Sequence, residues 1–204
     1  CSSPKNYTSL ANGSHTFFVR AIDSLGNTAS NPDTFTWTVD TQDPGVTVSA
    51  SVANPTNLSP ITITITFSES VTGFTPSVAS GDLVIGGVGG TDSNPTGSGA
   101  SYSFDLIPSG QGAITVQVPA GSAQDAASNW NVVSNTFNIT YDSVAPTVTI
   151  NQAAAQPDPT SISPVNFTVV FSEAVTGFGN VEVILGGTAG ATTAVVTEIA
   201  PNDG

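Results

Sequence analysis

Apolar and polar residues alternate along most of this chain. In Ile61-Thr-Ile-Thr-Ile-Thr66, isoleucine and threonine take turns, which is the period of a β-strand that buries one face and exposes the other. Alternating or β-branched segments bounded by Gly, Pro, Asn and Asp predict these strands: His15–Arg20, Thr34–Val39, Val46–Val52, Ile61–Phe67, Tyr102–Ile107, Ala113–Val118, Thr136–Tyr141, Thr147–Ile150, Val165–Phe171 and Val181–Leu185. We find no long stretch with the apolar spacing of a helix. The chain is therefore predicted to be all-β.

One strand and the turn after it occur twice. Phe67-Ser-Glu-Ser-Val-Thr-Gly-Phe74 returns as Phe171-Ser-Glu-Ala-Val-Thr-Gly-Phe178, with a single residue changed. The spacing of about 100 residues exceeds the roughly 20–50 residues of a solenoid repeat. It suits a whole small domain that is present more than once. Short strands separated by turn signals over that length predict an antiparallel β-sandwich.

Two segments of the form Asp-x-x-x-Pro mark the predicted module junctions. Asp40-Thr-Gln-Asp-Pro44 and Asp142-Ser-Val-Ala-Pro146 each lie between two predicted strands, and proline stiffens such a linker because it fixes φ. The predicted organisation is an extended array of tandem modules: the closing part of one at 1–39, a linker at 40–43, a complete module at 44–141, a linker at 142–145 and the opening part of a further module at 146–204. We expect the chain to be part of a longer protein.

Charge in this chain is sparse and one-sided. Lys5 and Arg20 stand against fifteen Asp and Glu, so the net charge is −13. Such a surface repels nucleic acid and anionic membranes, and no segment approaches the about 20 apolar residues that span a bilayer. One histidine, His15, and one cysteine, Cys1, supply too few groups for a catalytic triad or a zinc site. We therefore expect no enzymatic activity, no nucleic-acid partner and no membrane span in these residues.

Several motifs resemble bacterial Ig-like repeats. Five segments near the start of the chain resemble the closing half of one subtype: Cys1-Ser-Ser-Pro4, Tyr7-Thr-Ser-Leu10, Gly13-Ser-His-Thr-Phe17, Val19-Arg-Ala-Ile-Asp-Ser-Leu-Gly-Asn27 and Phe35-Thr-Trp-Thr-Val-Asp40. The Phe-Ser-Glu-x-Val-Thr-Gly-Phe segments are similar to a second subtype. Both subtypes occur in very large secreted, surface-attached or adhesin-like proteins. The resemblance thus implies Ig-like sandwiches in an extracellular or cell-surface protein, although this fold hosts many functions.

Cys1 has no second cysteine to pair with in this sequence. In the first subtype, a cysteine at this position commonly pairs with one a short distance upstream, so the resemblance implies a disulfide whose partner precedes the sequence. A secreted context favours disulfides, and an odd cysteine points to a partner elsewhere. The alternative is that Cys1-Ser-Ser is the lipidated start of a mature lipoprotein.

Acidic and amide side chains are expected to gather at one pole of the complete module. In an Ig-type sandwich alternate strands run up and down, so the incoming linker and the B–C and F–G loops meet at one end. The linker carries Asp40 and Asp43, and Glu69 ends the predicted B strand. The F–G loop holds Asp125 and Asn129. Hard oxygen ligands in this number suit Ca²⁺, which takes about 6–8 oxygens.

The neighbouring modules carry parts of the same set. The opening part of the third module has Asp142 and Glu173, and the closing part of the first has a loop that holds Asp23 and Asn27. Related adhesin repeats and cadherins stiffen their junctions with Ca²⁺, so the resemblance points to the same cation. The alternative is that these residues only form turns, because Asp and Asn side chains hydrogen-bond to nearby backbone groups.

The expected function is that of a non-enzymatic spacer or stalk in a bacterial surface adhesin or extracellular fibre. Its partners would be neighbouring modules of the same chain or other fibre subunits, with Ca²⁺ at the junctions. One alternative is a ligand-binding module that takes a surface glycan on exposed aromatic rings. Trp37 and Trp130 are the side chains to examine, and we expect both to be packed in a core or between domains. Another alternative is an accessory domain of a secreted hydrolase.

Overall fold

The strands of the protein form antiparallel sheets. The structure is a computed structural model that describes residues 6–188 and 190–199. Its elements are β1 (Gly13–Val19), β2 (Asp33–Val39), β3 (Val46–Ala50), β4 (Ile61–Val71), β5 (Val84–Gly87), β6 (Gly90–Pro108), β7 (Gly112–Gln117), β8 (Phe137–Tyr141), β9 (Val148–Gln152), β10 (Phe167–Phe171) and one 3₁₀ turn at Asn180–Glu182. No α-helix occurs among these described residues. The predicted all-β class is therefore confirmed.

The chain divides into two compact units. Cys1–Ser143 forms the first and Val144–Gly204 the second. The first unit contains strands β1 to β8, and the second contains β9 and β10. The predicted module bounds at 39, 44, 141 and 146 stay predictions, as does the extended array.

Two three-stranded sheets pack face to face in the first unit. One sheet has the strand order β3-β4-β6 and the other β5-β7-β8. One core cluster takes side chains from both sheets: Val46, Val48, Ile61, Ile63, Ile65, Phe67 and Val71 come from β3 and β4, Tyr102, Phe104 and Leu106 from β6, and Ile114, Val116 and Ile139 from β7 and β8. Because a single core joins the inner faces of both sheets, this region is a β-sandwich.

The alternation in β4 decides which of its faces is buried. Ile61, Ile63 and Ile65 are fully buried, whereas Thr62 and Thr66 are exposed. A shift of one residue in register would reverse both sets, so the predicted core face of this strand is confirmed. The same face continues to Phe67, whose ring meets Phe74 edge-on at 5.1 Å and Tyr102 at 5.9 Å. Edge-to-face aromatic packing at these distances adds to the area that each ring buries.

The long element β6 folds back on itself. Thr96 Oγ1 lies 2.9 Å from Ser103 Oγ, and Asn94 Nδ2 donates to Asp105 Oδ2 at 2.9 Å. A straight strand would separate Asn94 and Asp105 by roughly 36 Å, at about 3.3 Å per residue, so the two halves of β6 lie side by side. The reversal occurs near Gly97 and Gly99, which have φ of 111° and 65°, values that suit glycine.

Some strand predictions differ from the structure. Strand β5 and the first half of β6 lie in a Gly-rich stretch that contains no apolar alternation. Strand β5 pairs with β7 through its backbone, and side chains of the first half of β6 bond to side chains of its second half. The strand predicted at Val181–Leu185 is wrong, because the described chain forms a 3₁₀ turn at Asn180–Glu182 and no strand after it. Val181 and Ile184 are exposed there, so no sheet partner or core stabilises an extended pairing.

The repeated segment has the same local geometry in both units. The rings of Phe67 and Phe74 meet at 5.1 Å and 76°, and those of Phe171 and Phe178 at 5.1 Å and 73°. In each unit, the serine after the first phenylalanine donates its N–H to the main-chain carbonyl of the residue that faces it, and its hydroxyl accepts the N–H of that same residue. The pairs are Ser68 with Gly45 and Ser172 with Thr147. Phe171 is half-buried, however, whereas Phe67 is buried. The two phenylalanines therefore share a local ring geometry but differ in burial.

Candidate metal site at the entry to the sandwich

Three carboxylates from distant parts of the sequence meet at one end of the sandwich. Asp40 follows β2, Glu69 lies near the end of β4, and Asp125 lies in the loop between β7 and β8. One carboxylate oxygen of each residue lies within 4.8 Å of those of the other two. Among residues 6–188 and 190–199, this is the place where three potential metal-ligating side chains converge. Asp43 is exposed and is not part of this group.

An irregularity in β4 determines where Glu69 is placed. The regular pairing of β4 with β6 continues to Thr66 opposite Ser101, shifts, and resumes with Val71 opposite Gly99. A bulge of this kind bends a strand and re-aims the side chains within it. Glu69 lies inside the shifted segment and is half-buried, while Val71 returns to the core.

Asn129 holds Asp125 in place. Asp125 Oδ1 accepts hydrogen bonds from the main-chain N–H of Ala127 at 2.7 Å and of Asn129 at 2.9 Å. Asp125 Oδ2 accepts a third from Asn129 Nδ2 at 2.9 Å. The same Nδ2 donates to the main-chain carbonyl of Asp40 at 3.2 Å. Asn129 therefore orders both the loop and the chain segment that enters the sandwich, and Asp125 is only 5 % exposed.

The loop between β1 and β2 has the same internal geometry. Asp23 Oδ1 accepts from the N–H groups of Leu25 and Asn27, and Asp23 Oδ2 accepts from Asn27 Nδ2 at 2.7 Å. Asp23 and Asn27 are exposed, and no further Asp, Glu, His or Cys of the described residues joins them in a group of three. The turn role proposed as the alternative is thus present in both loops. Only the Asp125 loop also belongs to a group of three carboxylates.

The electrostatics of the three carboxylates differ. Burial, together with the negative charges of Asp125 and Asp40, raises the pKa of Glu69. Burial acts to raise the pKa of Asp125, but the hydrogen bonds from Asn129, Ala127 and Ser128 together outweigh it, and the net pKa is lowered. Arg20, the one described Lys or Arg, forms no ion pair with this group. Within the described protein, the negative charges are therefore not neutralised by a basic side chain.

The remaining predicted site residues lie elsewhere. Asp142 closes the first unit, where its N–H donates to the main-chain carbonyl of Thr56 at 2.9 Å. Glu173 belongs to the second unit and is exposed. Cys1 lies outside the described residues, so its pairing stays a prediction.

Comparison with known proteins identifies the sandwich. The sequence model of the bacterial Ig-like domain family matches residues 40–141, which is half of the chain. The chain belongs to the bacterial Ig-like domain family. No curated protein and no solved structure matches it. The matched residues of the Ig-like domain include all three carboxylates, Asp40, Glu69 and Asp125. The group is therefore internal to one domain of a recognised kind.

A buried amide of the Ig-like domain supports the loop that carries Asp125. Asn131 Oδ1 accepts the N–H groups of Ser122 and Ala123, both at 2.8 Å, and its Nδ2 donates to two main-chain carbonyls. The side chain uses all four of its hydrogen-bonding positions and is buried. The sequence alone did not single out Asn131, because a loop asparagine in a Ser- and Asn-rich chain looks like any other turn former. The one feature of the sequence that could have drawn attention to Asn131 is its position two residues after Asn129, a predicted site residue.

The two tryptophans have different environments. Trp37 is half-buried and contacts the rings of His15, Phe35 and Tyr7. Trp130 is 54 % exposed in the loop of the Ig-like domain. Trp130 is therefore not packed in a core, and its packing between domains stays a prediction. Within the described residues, no helix is long and apolar enough to cross a membrane.

Proposed function

We propose that this chain is a non-enzymatic spacer in an extracellular bacterial surface protein or fibre, and that Ca²⁺ bound by Asp40, Glu69 and Asp125 fixes the entry to its Ig-like domain. Domains of this family are generally non-catalytic and often extracellular. The observation that carries the calcium proposal is the convergence of three carboxylates from separate segments within 4.8 Å, without a basic partner among the described residues.

The donor set fits a hard cation. Glu69 accepts no hydrogen bond from any described residue, so both of its oxygens are available. Asp40 Oδ1 accepts the N–H of Gln42 at 3.0 Å, which leaves Oδ2 available. Asp125 Oδ2 accepts one hydrogen bond and keeps acceptor capacity. Water would complete the about 6–8 oxygens that Ca²⁺ takes. Zinc is disfavoured here, because its sites in proteins draw largely on nitrogen and sulfur ligands.

A cation at this position would join the entering chain to the sandwich. Asp40 comes directly after β2, whereas Glu69 lies on β4 of one sheet and Asp125 in the loop that joins β7 and β8 of the other. Two hydrogen bonds to main-chain carbonyls already hold the entering segment. Asn129 Nδ2 donates to Asp40 O, and the N–H of Val132 donates to Pro44 O at 3.0 Å. Removing the mutual repulsion of three carboxylates would strengthen this attachment. A ligand that binds only the folded state stabilises it by mass action.

Calorimetric unfolding with and without a chelator tests the proposal. Adding CaCl₂ to the chelated protein should raise its melting temperature, and isothermal titration should give a stoichiometry of one for this site. Glu69→Gln should reduce both effects strongly. Glu198→Gln is the matched control, because it makes the same charge change at an exposed residue outside the group, and it should behave as the wild type. Identical melting curves with and without Ca²⁺ would reject calcium and leave the spacer role without it.

The exposure of Trp130 supports one second candidate, a carbohydrate-binding module. An exposed indole ring can stack on a sugar, and Val133 beside it is also exposed. Titration of soluble polysaccharides should then quench tryptophan fluorescence, and Trp130→Ala should abolish the response. Trp37→Ala should leave it intact, because Trp37 contacts other rings of the hairpin formed by β1 and β2. Unchanged fluorescence with every glycan would remove this candidate.

A further inference from the structure

A side chain closes the outer edge of strand β3. This strand is the first of its sheet, whose order is β3-β4-β6. The N–H of Val48, in the middle of β3, donates to Asn135 Oδ1 at 2.8 Å, and Asn135 Nδ2 donates to the main-chain carbonyl of Val48 at 3.0 Å. A residue of a neighbouring antiparallel strand would make the same two bonds to Val48 through its main chain. The amide of Asn135 therefore occupies the place of a neighbouring strand.

The outer edge of β8 is closed in a similar way. This strand is the last of the other sheet, whose order is β5-β7-β8. Asn54 Oδ1 accepts the N–H of Thr140 at 2.9 Å, and Asn54 Nδ2 donates to the main-chain carbonyl of Asn138 at 3.4 Å. Thr56 continues along the same edge, because its N–H donates to the carbonyl of Thr140 and its carbonyl accepts the N–H of Asp142. Successive polar groups on this edge are thus bonded within the chain.

The composition of these two strands gives their edges little other protection. The sequences of β3, Val-Thr-Val-Ser-Ala, and β8, Phe-Asn-Ile-Thr-Tyr, contain neither a charged residue nor a proline. Lysine and proline are the residues that commonly keep an edge strand from pairing with another chain. Both strands are instead rich in β-branched and aromatic residues, which favour strand pairing. Neither strand therefore carries the side chains that protect edges in other proteins.

The fold holds Asn135 in position from the opposite sheet. Asn135 follows Ser134, whose N–H donates to the main-chain carbonyl of Val118 at 3.0 Å and whose Oγ accepts the N–H of Val118 at 2.9 Å. Val118 comes directly after β7. Two consecutive residues thus bond to the two sheets of the sandwich, Ser134 at the end of β7 and Asn135 on β3. Because Ser134 is buried, the position of the Asn135 amide is set by the core of the domain.

We propose that Asn135 and Asn54, which we call the edge caps, keep copies of the Ig-like domain from joining edge to edge. Each cap bonds to an N–H and a carbonyl that an added strand would have to use. Strand addition at either edge therefore requires that the cap bonds break first. The proposal concerns the matched domain alone, and it depends neither on calcium nor on the spacer role.

Hydrogen exchange and sedimentation of the Asn135→Ala chain test the proposal. At low concentration, the amide of Val48 should exchange roughly tenfold faster than in the wild type, because it has lost one hydrogen bond. As the concentration rises, the average mass should increase more steeply than that of the wild type. The amide of Val48 should then regain protection, because a strand of another copy pairs with it. Asn54→Ala should behave in the same way, with the amide of Thr140 as the reporter.

Asn135→Lys distinguishes an opened edge from a simple loss of stability. This variant loses the same two bonds as Asn135→Ala, but it places on the edge a charge that opposes strand addition. It should therefore show the fast exchange of Val48 and sediment as the wild type.

Two results would overturn the proposal. Equal association of Asn135→Lys and Asn135→Ala would show that unfolding, and not edge pairing, brings the copies together. Alanine variants that sediment as the wild type at every concentration would show that the caps do not prevent association. The two edges are tested separately, so a variant that does not fold leaves the test to the other cap.

Discussion

The side-chain amide of Asn129 lies 3.2 Å from the main-chain carbonyl of Asp40, a residue 89 positions earlier. One asparagine therefore closes its own turn on Asp125 and also holds the segment that enters the Ig-like domain. The two interpretations of these residues, turn formation and junction building, are compatible in the structure. Asn27 makes the same bonds to Asp23, but the structure describes no bond from its side chain to a distant main-chain carbonyl.

Replacing Asn129 should therefore cost more than replacing Asn27. Asn129→Ala removes the donor to Asp125 Oδ2 and to Asp40 O, and the loss of such bonds typically costs about 1–3 kcal/mol of unfolding free energy. Asn27→Ala removes an exposed bond and should cost less. Urea unfolding measures both. The pKa of Asp125 should also rise in Asn129→Ala, because burial then acts with less opposition, and carbon NMR of the carboxylate reports it. Equal destabilisation by both substitutions would contradict the junction role.

Glu69 should make stability depend on pH in calcium-free buffer. Burial and the charges of Asp125 and Asp40 raise its pKa in the folded state. The folded protein thus binds this proton more tightly than the unfolded chain, so ionised Glu69 lowers stability above the folded pKa. The penalty disappears as pH falls through the folded pKa.

Glu69→Gln should therefore have a higher urea midpoint than the wild type at pH 7. The difference should shrink as pH falls toward about 4, near the pKa of an unperturbed glutamate. Glu198→Gln should show no such trend. If Glu69→Gln were less stable than the wild type at pH 7 without metal, the repulsion described at this site would be absent.

Ser128 occupies a backbone position that favours glycine. Its φ is 71°, and the corresponding residue of the loop between β1 and β2 is Gly26, with φ of 87°. A left-handed conformation costs a residue with a side chain about 1–2 kcal/mol, and the extra freedom of glycine in the unfolded chain offsets about 0.5–1 kcal/mol. Ser128→Gly should stabilise the protein by roughly 0.5 kcal/mol. The reverse change, Gly26→Ser, meets no atom within 4 Å of the new Cβ and should be destabilising through strain alone.

Asn131 should be among the least tolerant loop positions. Its side chain makes four hydrogen bonds while buried, and Asn131→Ala leaves the N–H groups of Ser122 and Ala123 without their acceptor. We expect a loss of about 3 kcal/mol in unfolding free energy. Asn138→Ala, at an exposed position with one local bond, should lose less than about 1 kcal/mol. Similar losses at both positions would show that the buried amide is not critical.

The buried face of a strand could be predicted where apolar and polar side chains alternate, because successive side chains of a strand point to opposite faces. The isoleucines of β4 show this, and the aromatic contact of Phe67 with Phe74 follows from it. The Gly-rich first half of β6 has no such pattern. Asp105 in the second half of β6 accepts bonds from Asn94 of the first half and from Thr62 of β4, and the reversal at Gly97 is visible only in the backbone. The strand predicted at Val181–Leu185 is absent for the opposite reason. The segment has apolar residues, but it has no partner strand among the described residues.

By itself, the sequence determined the all-β class and the register of the central strand, and it predicted five residues at one pole of the complete module, of which Asp40, Glu69 and Asp125 meet at the candidate metal site. These follow from local periodicity and from the up-and-down path of strands in a sandwich. Only the tertiary structure decided that Asp43 is not part of the group, that Asn129 bonds to Asp40, and that Trp130 is exposed. Those facts depend on the geometry of the segment after β2 and of the loop between β7 and β8. They arise from contacts between residues far apart in the chain, which no local pattern encodes.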